Sequence, residues 1–187
     1  MANISSASGT LYITASSIVE CEEVYKLINI ITDKWEYEFR TYNELTIYEV
    51  IDSCDEESDN QVTMETPFYA DGKWSFQTNA ELFGVWLQNS DKLDSSPKVK
   101  TAIDMLSKIK FVLEFIFDED EPGCGFVGVG NVRLVHLGNT DLKDSEVLDT
   151  ELESHDLTVE NLVTYRGFDE DYAKEYLGEE NKHLTSI

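Results

Sequence analysis

The spacing of hydrophobic and polar positions changes twice along the first fifty residues. Residues 9–15 are short, rich in β-branched side chains and bounded by Gly and Ser, which predicts a strand. In residues 18–33 the apolar positions recur at helical spacing, after two serines that can cap a helix. From Trp35 the period becomes two, and residues 45–51 are again strand-like. The pattern therefore predicts a strand, a helix and two further strands, the last two joined by a hairpin at residues 43–44.

The middle of the chain is less regular. Residues 52–66 are polar and acidic, lack a period and are interpreted as a loop. A short strand is predicted over residues 73–78, and it is followed by two helices, capped by Asn79 and by Ser96 with Pro97 in the first helical position. The apolar stripes of these helices are Leu82, Phe83, Trp86 and Leu87, then Val99, Ala102, Ile103 and Leu106.

Two aliphatic segments, 111–117 and 126–137, predict the last strands of a single sheet. The order of elements is β-α-β-β-(β)-α-α-β-β, which predicts an α+β fold, a ferredoxin-like split βαβ antiparallel sheet with its helices on one face. Residues 1–137 would form this domain, and residues 138–187, with sparse apolar positions, an acidic helical appendage. The side chains predicted to be largely buried are Leu27, Ile31, Trp35, Phe39, Phe83, Trp86, Ile103, Phe111 and Phe115.

Charge is the most distinctive property of the chain. Thirty-eight Asp and Glu stand against 14 Lys and Arg, which gives a net charge of −24. Direct binding to nucleic acid or to an anionic membrane requires the opposite charge, so both are excluded as expected partners. Three cysteines without a C-x-x-C pair, and no basic segment followed by an apolar one at the N-terminus, favour reduced thiols in the cytoplasm of a host cell.

Candidate chemistry in the sequence is weak. Residues 123–128 match G-x-G-x-x-G, but a strand rather than a helix is predicted to follow, and an acidic run precedes the motif, so a hairpin turn is the better interpretation than a dinucleotide site. Asp55, Glu57 and Asp59 have the spacing that opens a calcium loop, without its glycine and final glutamate. His136 is interpreted as a hydrogen-bonded residue of its strand. No catalytic residue, cofactor or metal site is predicted.

Three acidic clusters are the candidate partner-binding residues. We expect each of them to be exposed, because buried charges without partners are costly and few bases lie nearby in the sequence. The first is Asp55, Glu56, Glu57 and Asp59; the second is Asp118, Glu119, Asp120 and Glu121; the third is Asp169, Glu170 and Asp171.

The sequence also resembles a known group of proteins. The strand that contains Trp74 and leads into a helix, together with the turn Glu121-Pro122-Gly123-Cys124-Gly125-Phe126-Val127-Gly128, resembles ferredoxin-like proteins of phages and plasmids, most without an assigned activity. The resemblance covers about residues 9–137 and implies a mobile-element origin. By analogy, small acidic proteins of such elements include anti-CRISPR and anti-restriction inhibitors, which act by occupying nucleic-acid-binding surfaces.

Three functions are consistent with these observations. The first is a non-enzymatic inhibitor that occupies the nucleic-acid-binding surface of a basic protein by charge mimicry, with a host defence nuclease as one candidate target. The second is a partner-binding or self-associating module of a mobile element without such mimicry. The third is an enzyme that uses carboxylates or a metal ion. The charge favours the first.

Overall fold

A computed structural model describes residues 4–33, 38–42, 45–51, 61–89 and 96–185, with side chains as far as residue 178. It has a seven-stranded sheet and six α-helices among these residues. The strands are β1 (Ile4–Ala15), β2 (Glu38–Thr41), β3 (Thr46–Ile51), β4 (Gln61–Lys73), β5 (Lys110–Glu121), β6 (Phe126–Leu137) and β7 (Glu146–Asp156). The helices are α1 (Ile18–Thr32), α2 (Phe76–Glu81), α3 (Phe83–Asn89), α4 (Pro97–Leu106), α5 (Val159–Arg166) and α6 (Glu170–Thr185).

The sheet is antiparallel throughout, in the order β2-β4-β1-β5-β6-β7. β3 also pairs with β4, at residues 61–65, whereas β2 pairs with residues 68–71 of that strand. The predicted α+β class with an antiparallel sheet is therefore confirmed. β1 and β2 run parallel on either side of β4, with α1 connecting them, which is a split βαβ connection. The sheet nevertheless has more strands than a simple ferredoxin-like fold, so that fold is not confirmed.

One face of the sheet carries the main core. Alternate positions of β1, β4 and β5 are buried beneath α1–α4, because successive strand side chains point to opposite faces. A group of phenylalanine rings fills the centre, and Phe115 contacts four others at centroid distances from 5.0 to 6.2 Å. The predicted packing of the first helices on one side is confirmed. Most of the predicted core is buried as well, namely Leu27, Ile31, Phe39, Phe83, Phe111 and Phe115, with Ile103 partly buried.

The tryptophans do not follow the prediction. Trp86 is 45% exposed, because the buried side of α3 is formed by Phe83 and Leu87 instead. Trp74 is 62% exposed and lies in the corner between β4 and α2, at a φ of 71°. Trp35 lies outside the described residues.

Several boundaries also differ from those predicted. The segment 73–78 is not a strand, because β4 ends at Lys73 and α2 begins at Phe76. The residue that caps α2 is Ser75, whose hydroxyl accepts from the Thr78 N–H, and not Asn79. Residues 61–66 of the predicted loop belong to β4, where apolar Val62 and Met64 alternate with polar neighbours. In the described residues β2 and β3 both pair with β4, so the predicted pairing of these two strands as a hairpin is wrong; its predicted turn, residues 43–44, lies outside the described residues.

The C-terminal region is not purely helical. β7 pairs with β6 over nearly its whole length and extends the sheet. α5 and α6 then cross to the sheet face opposite α1–α4, where Leu162 and Ala173 bury Val127 of β6 in a small second cluster. The predicted helical appendage is therefore wrong for residues 146–156 and confirmed for the helices. No helix in the described part of the chain is long and apolar enough to cross a membrane.

Candidate functional site

The predicted cluster of four acids at the end of β5 is not a surface loop. Glu119, Asp120 and Glu121 are buried, and the side chain of Asp118 is 24% exposed. The expectation that this run is exposed is wrong because β5 continues through it and pairs with β6 as far as Glu121. Alternation along the strand sends Asp118 and Asp120 to one face and Glu119 and Glu121 to the other.

Arg166, the last residue of α5, forms ion pairs with both Asp118 and Asp120. Its Nη1 donates to Asp118 Oδ2 at 2.7 Å and to the Asp118 carbonyl at 2.9 Å, and its Nε lies 2.8 Å from Asp120 Oδ1. Ser8 Oγ accepts from the same Nη1, and the Tyr176 hydroxyl donates to Asp120 Oδ2. Burial raises the pKa of Asp120, while Arg166 and Tyr176 oppose that shift. Sequence spacing could not predict this pairing, since the partner base lies far along the chain.

Glu119 and Glu121 are held on the opposite face. The Glu119 carboxylate accepts from the backbone N–H of Phe76, at the start of α2, and from that of Gln77. Burial raises the pKa of Glu119 to about 7, partly opposed by these two donors. The Cys124 thiol donates to Glu121 Oε1 at 3.3 Å. These contacts join β5 to α2 and to the turn before β6, so both carboxylates support the fold, and their contact with a partner stays a prediction.

The other predicted site residues have different outcomes. Asp169, Glu170 and Asp171 are exposed at the start of α6, as predicted. Asp169 Oδ1 accepts from the Tyr172 N–H at 2.9 Å, and Glu170 pairs with Lys174, so two of them also stabilise this helix end. Their contact with a partner stays a prediction. Asp55, Glu56, Glu57 and Asp59 lie outside the described residues.

The sheet face opposite α1–α4 is the strongest candidate surface. Among the described residues, α5 and α6 cover its end near Asp120 and Val127, while the strand registers bring acids from four strands together on the remainder. We call this surface the acidic sheet face; its acids are Glu49, Glu65, Glu114, Asp149, Glu151 and Glu153. Sequence analysis missed it because these acids are scattered along the chain, and only pairing registers bring them together.

One row of the acidic sheet face shows its character. Glu65 and Glu114 flank Tyr12 on the two neighbouring strands, and Glu114 is opposite Arg133, which is opposite Asp149. Adjacent strands lie about 4.8 Å apart, so acids two strands apart are separated by roughly 10 Å. Burial and the nearby Glu65 carboxylate raise the pKa of Tyr12. The base Arg133 offsets only part of the negative charge in this row.

The buried histidine and cysteine side chains, His136 and Cys21, form hydrogen bonds within the fold. His136 is buried, with Nδ1 3.1 Å from Ser145 Oγ and Nε2 3.0 Å from the Ser107 carbonyl. The buried Cys21 thiol donates to the backbone carbonyls of Ile13 and Val62. No group of three or more potential metal ligands occurs among the residues that are described. The glycine motif of residues 123–128 forms a turn that opens β6.

Comparison with family models, with curated proteins and with solved structures gave no match to this chain. The resemblance to ferredoxin-like proteins of phages and plasmids therefore stays a prediction, and the acidic sheet face must be interpreted from its own chemistry.

Proposed function

We propose that this protein is a non-enzymatic inhibitor that presents the acidic sheet face to the nucleic-acid-binding surface of a basic protein. The proposed target is a nuclease of a host defence system, and the proposed source is a phage or plasmid that carries ferredoxin-like proteins. The observation that supports this proposal is the difference in charge between the two sides of the sheet. Six acids share the acidic sheet face with Arg133, whereas α1 and α4 on the other side together carry four acids and three bases, which nearly balance.

Separation of charge matters more than net charge. A uniformly acidic surface keeps a protein soluble, but a basic groove is attracted most strongly to a surface where negative charge is concentrated. An open sheet offers such a surface without loops that must be ordered on binding, so little conformational entropy is lost. Association with a basic partner should therefore be fast at low salt and should slow steeply as salt is added.

A second function, a partner-binding or self-associating module, is favoured by the edge of the sheet at β3. All six residues of this strand are exposed, including the apolar side chains Ile47, Tyr48, Val50 and Ile51. Exposed apolar edge strands can pair with a strand of another chain. Binding through this edge would be insensitive to salt, which separates it from charge mimicry.

The test of the proposed function is competition with duplex DNA. The immobilised protein is exposed to a bacterial lysate at low salt, and the bound proteins are eluted with a short DNA duplex or with a salt gradient. We expect nucleic-acid-binding proteins to be retained and then displaced by the duplex, because mimic and duplex would occupy the same surface. Retention of proteins that neither duplex nor salt displaces would instead favour the β3 edge.

Two charge-reversed variants provide the matched comparison. In the first, Glu49, Glu65, Glu114 and Asp149 of the acidic sheet face are replaced by Lys. In the second, Glu22, Glu23, Asp104 and Asp144, on α1, on α4 and in the turn that contacts α3, are replaced by Lys. Both variants have the same net charge. Loss of capture only in the first supports the proposal; equal loss in both, or in neither, contradicts it.

A further inference from the structure

A cleft of about 730 Å³ opens between the acidic sheet face and α5. Its floor includes the backbone of Gly9 and Gly130. Neither position can carry a side chain without displacing a neighbouring strand, since a Cβ would lie 2.0 Å from the Ile116 carbonyl at Gly9 and 2.6 Å from the Glu151 carbonyl at Gly130. Glycine at these two positions therefore lets the neighbouring strands approach closely beneath the cleft.

The walls of the cleft combine apolar and polar groups. Ile116, Val129 and the ring of Tyr165 provide apolar surface, and Ile116 is 48% exposed. Tyr165 is fixed in place by stacking on His155, with ring centroids 4.1 Å apart. A ligand that fits these walls has an apolar stem.

The polar groups of the cleft are hydrogen-bond acceptors. Asn131 and Glu151 are directly opposite each other on β6 and β7, so their side chains lie side by side on the same face. Asn131 Oδ1 is shielded from solvent and accepts no hydrogen bond from any residue that the structure describes. A shielded acceptor without a donor is costly, and rotation of the Asn131 amide toward a ligand in the cleft would give it a donor and remove that cost.

The electrostatics of the cleft favour a cation. Asp118, Glu151 and Glu153 line it, and the one base in the lining, Arg166, is already paired with Asp118 and with the buried Asp120. Glu153 lies 3.2 Å from His155 Nε2, whereas Glu151 is exposed at the rim. Glu151 therefore presents negative charge to a ligand in the cleft, beside the Asn131 side chain.

We propose that this cleft binds an arginine side chain of the partner, an inference that rests on the proposed function. A guanidinium carries several N–H donors in a planar fork, and it can donate to the Glu151 carboxylate and to Asn131 Oδ1 together. Its methylene stem packs on Ile116 and Val129, and its plane can lie against the Tyr165 ring. Lysine has the charge and the stem but lacks the planar fork.

The experiment uses the full chain with small probes and a two-dimensional NMR titration at physiological salt. The probes are L-argininamide, L-lysinamide and L-citrullinamide; the last has the arginine shape without its charge. We expect saturable shifts of the Asn131 side-chain amide and the Tyr165 ring with argininamide, at a dissociation constant on the order of 1 mM. Lysinamide should bind several-fold more weakly and citrullinamide should not saturate. Equal binding of all three, or of lysinamide and argininamide, would overturn the assignment.

Variants locate the site. Glu151→Gln and Asn131→Leu should each weaken argininamide binding by about tenfold, since the first removes the carboxylate charge and the second removes the amide acceptor. Asp144→Asn removes a charge from the exposed turn that contacts α3, outside the cleft and the acidic sheet face, and it should change binding by less than about twofold. Glu151→Gln alters an exposed side chain, so it tests the site even if Asn131→Leu fails to fold. Equal weakening by Asp144→Asn would mean that only net charge is sensed and would contradict the site.

The two proposals can fail separately. The charge-reversed set that tests the proposed function contains none of the cleft residues. If that variant loses capture while argininamide does not bind in the cleft, only the arginine site is wrong. If argininamide binds as expected but duplex DNA displaces no captured protein, the mimicry is wrong and the cleft remains a guanidinium site.

Discussion

At the scale of single residues, Arg166 determines whether the end of β5 can be buried. Its guanidinium forms ion pairs with Asp118 and Asp120 and also donates to Ser8, so one side chain links α5 to β5 and β1. The side chains of Arg166 and Asp120 are 6% and 1% exposed. Loss of one partner should cost more stability in this shielded pair than in the exposed pairs Lys108–Asp104 and Lys174–Glu170, because water cannot solvate the charge that remains.

Replacement of Arg166 by Met should therefore be strongly destabilising. The methionine keeps much of the side-chain volume but leaves Asp120 without its cationic partner, which predicts a loss of roughly 3–5 kcal/mol in the free energy of unfolding. Urea denaturation at neutral pH measures this loss. Lys174→Met is the matched control, because that lysine pairs with Glu170 in solvent and its removal should leave the midpoint nearly unchanged. A similar small effect for both variants would show that the Arg166 pairs are not needed for stability.

The acid run of β5 also shows where sequence reasoning fails for a single residue. Charge alone predicts that residues 118–121 are exposed, and this prediction is wrong. The same prediction is correct for Asp169, Glu170 and Asp171. The difference is the distant Arg166, whose contact depends on a chain path that local pattern does not contain. One clue was present, since Arg166 is the only arginine of residues 141–187. Arginine is the base best suited to buried ion pairs, so an isolated one near acidic strands indicates a partner.

At the scale of elements, strong periodic patterns gave reliable predictions and mixed ones did not. α1 and α4 form where helical spacing and N-terminal residues agreed, and β5 and β6 form where aliphatic residues dominate. β4 was missed in part because polar residues fill its outward face, although its inward positions alternate regularly. β7 was also missed. None of its residues is buried, so burial imposes no apolar alternation on its sequence. Pairing with a neighbour, rather than local composition, makes such strands.

The junction between α2 and β5 depends on a buried carboxylate that titrates near neutral pH. The pKa of Glu119 is raised by burial from 4.5 to about 7 in the folded protein. The folded state therefore binds more protons than the unfolded state between these values, so this group makes stability fall as pH rises from about 4.5 to about 7. The full loss is about 3 kcal/mol, and it is reached by about pH 8, roughly one unit above the raised pKa.

Glu119→Gln tests this pH dependence. The amide keeps a carbonyl oxygen for the Phe76 N–H but carries no charge, so the variant should be more stable than the parent at pH 8 and should have a flatter profile between pH 5 and 7. Denaturant unfolding at several pH values gives both profiles. Glu160→Gln, which removes one exposed carboxylate on α5 outside the acidic sheet face, serves as the control. An unchanged slope in Glu119→Gln would assign the pH dependence to other carboxylates.

At the scale of the whole molecule, the sheet separates two kinds of surface. One face buries the aromatic core beneath four helices, and the other carries acids that the strand registers bring together. The net charge, known from the sequence, correctly indicated an acidic surface, but it could not locate that surface. Location depends on which strands are neighbours, and β1 lies between β4 and β5, strands that are distant from it in sequence.

Concentrated charge should also lower the stability of the free protein, and this gives a test that needs no partner. Acids on neighbouring strands repel one another, and salt screens that repulsion, so the melting temperature should rise between about 0.02 M and about 0.5 M NaCl. Reversal of Glu49, Glu65, Glu114 and Asp149 should raise the low-salt melting temperature and reduce its salt dependence, because it removes repulsion where acids are densest. Reversal of Glu22, Glu23, Asp104 and Asp144 changes net charge equally but disrupts the exposed pairs with Lys26 and Lys108, so it should stabilise less. Equal responses of the two variants would mean that the acids act only through net charge, and stability would then give no reason to regard the acidic sheet face as specialised for binding.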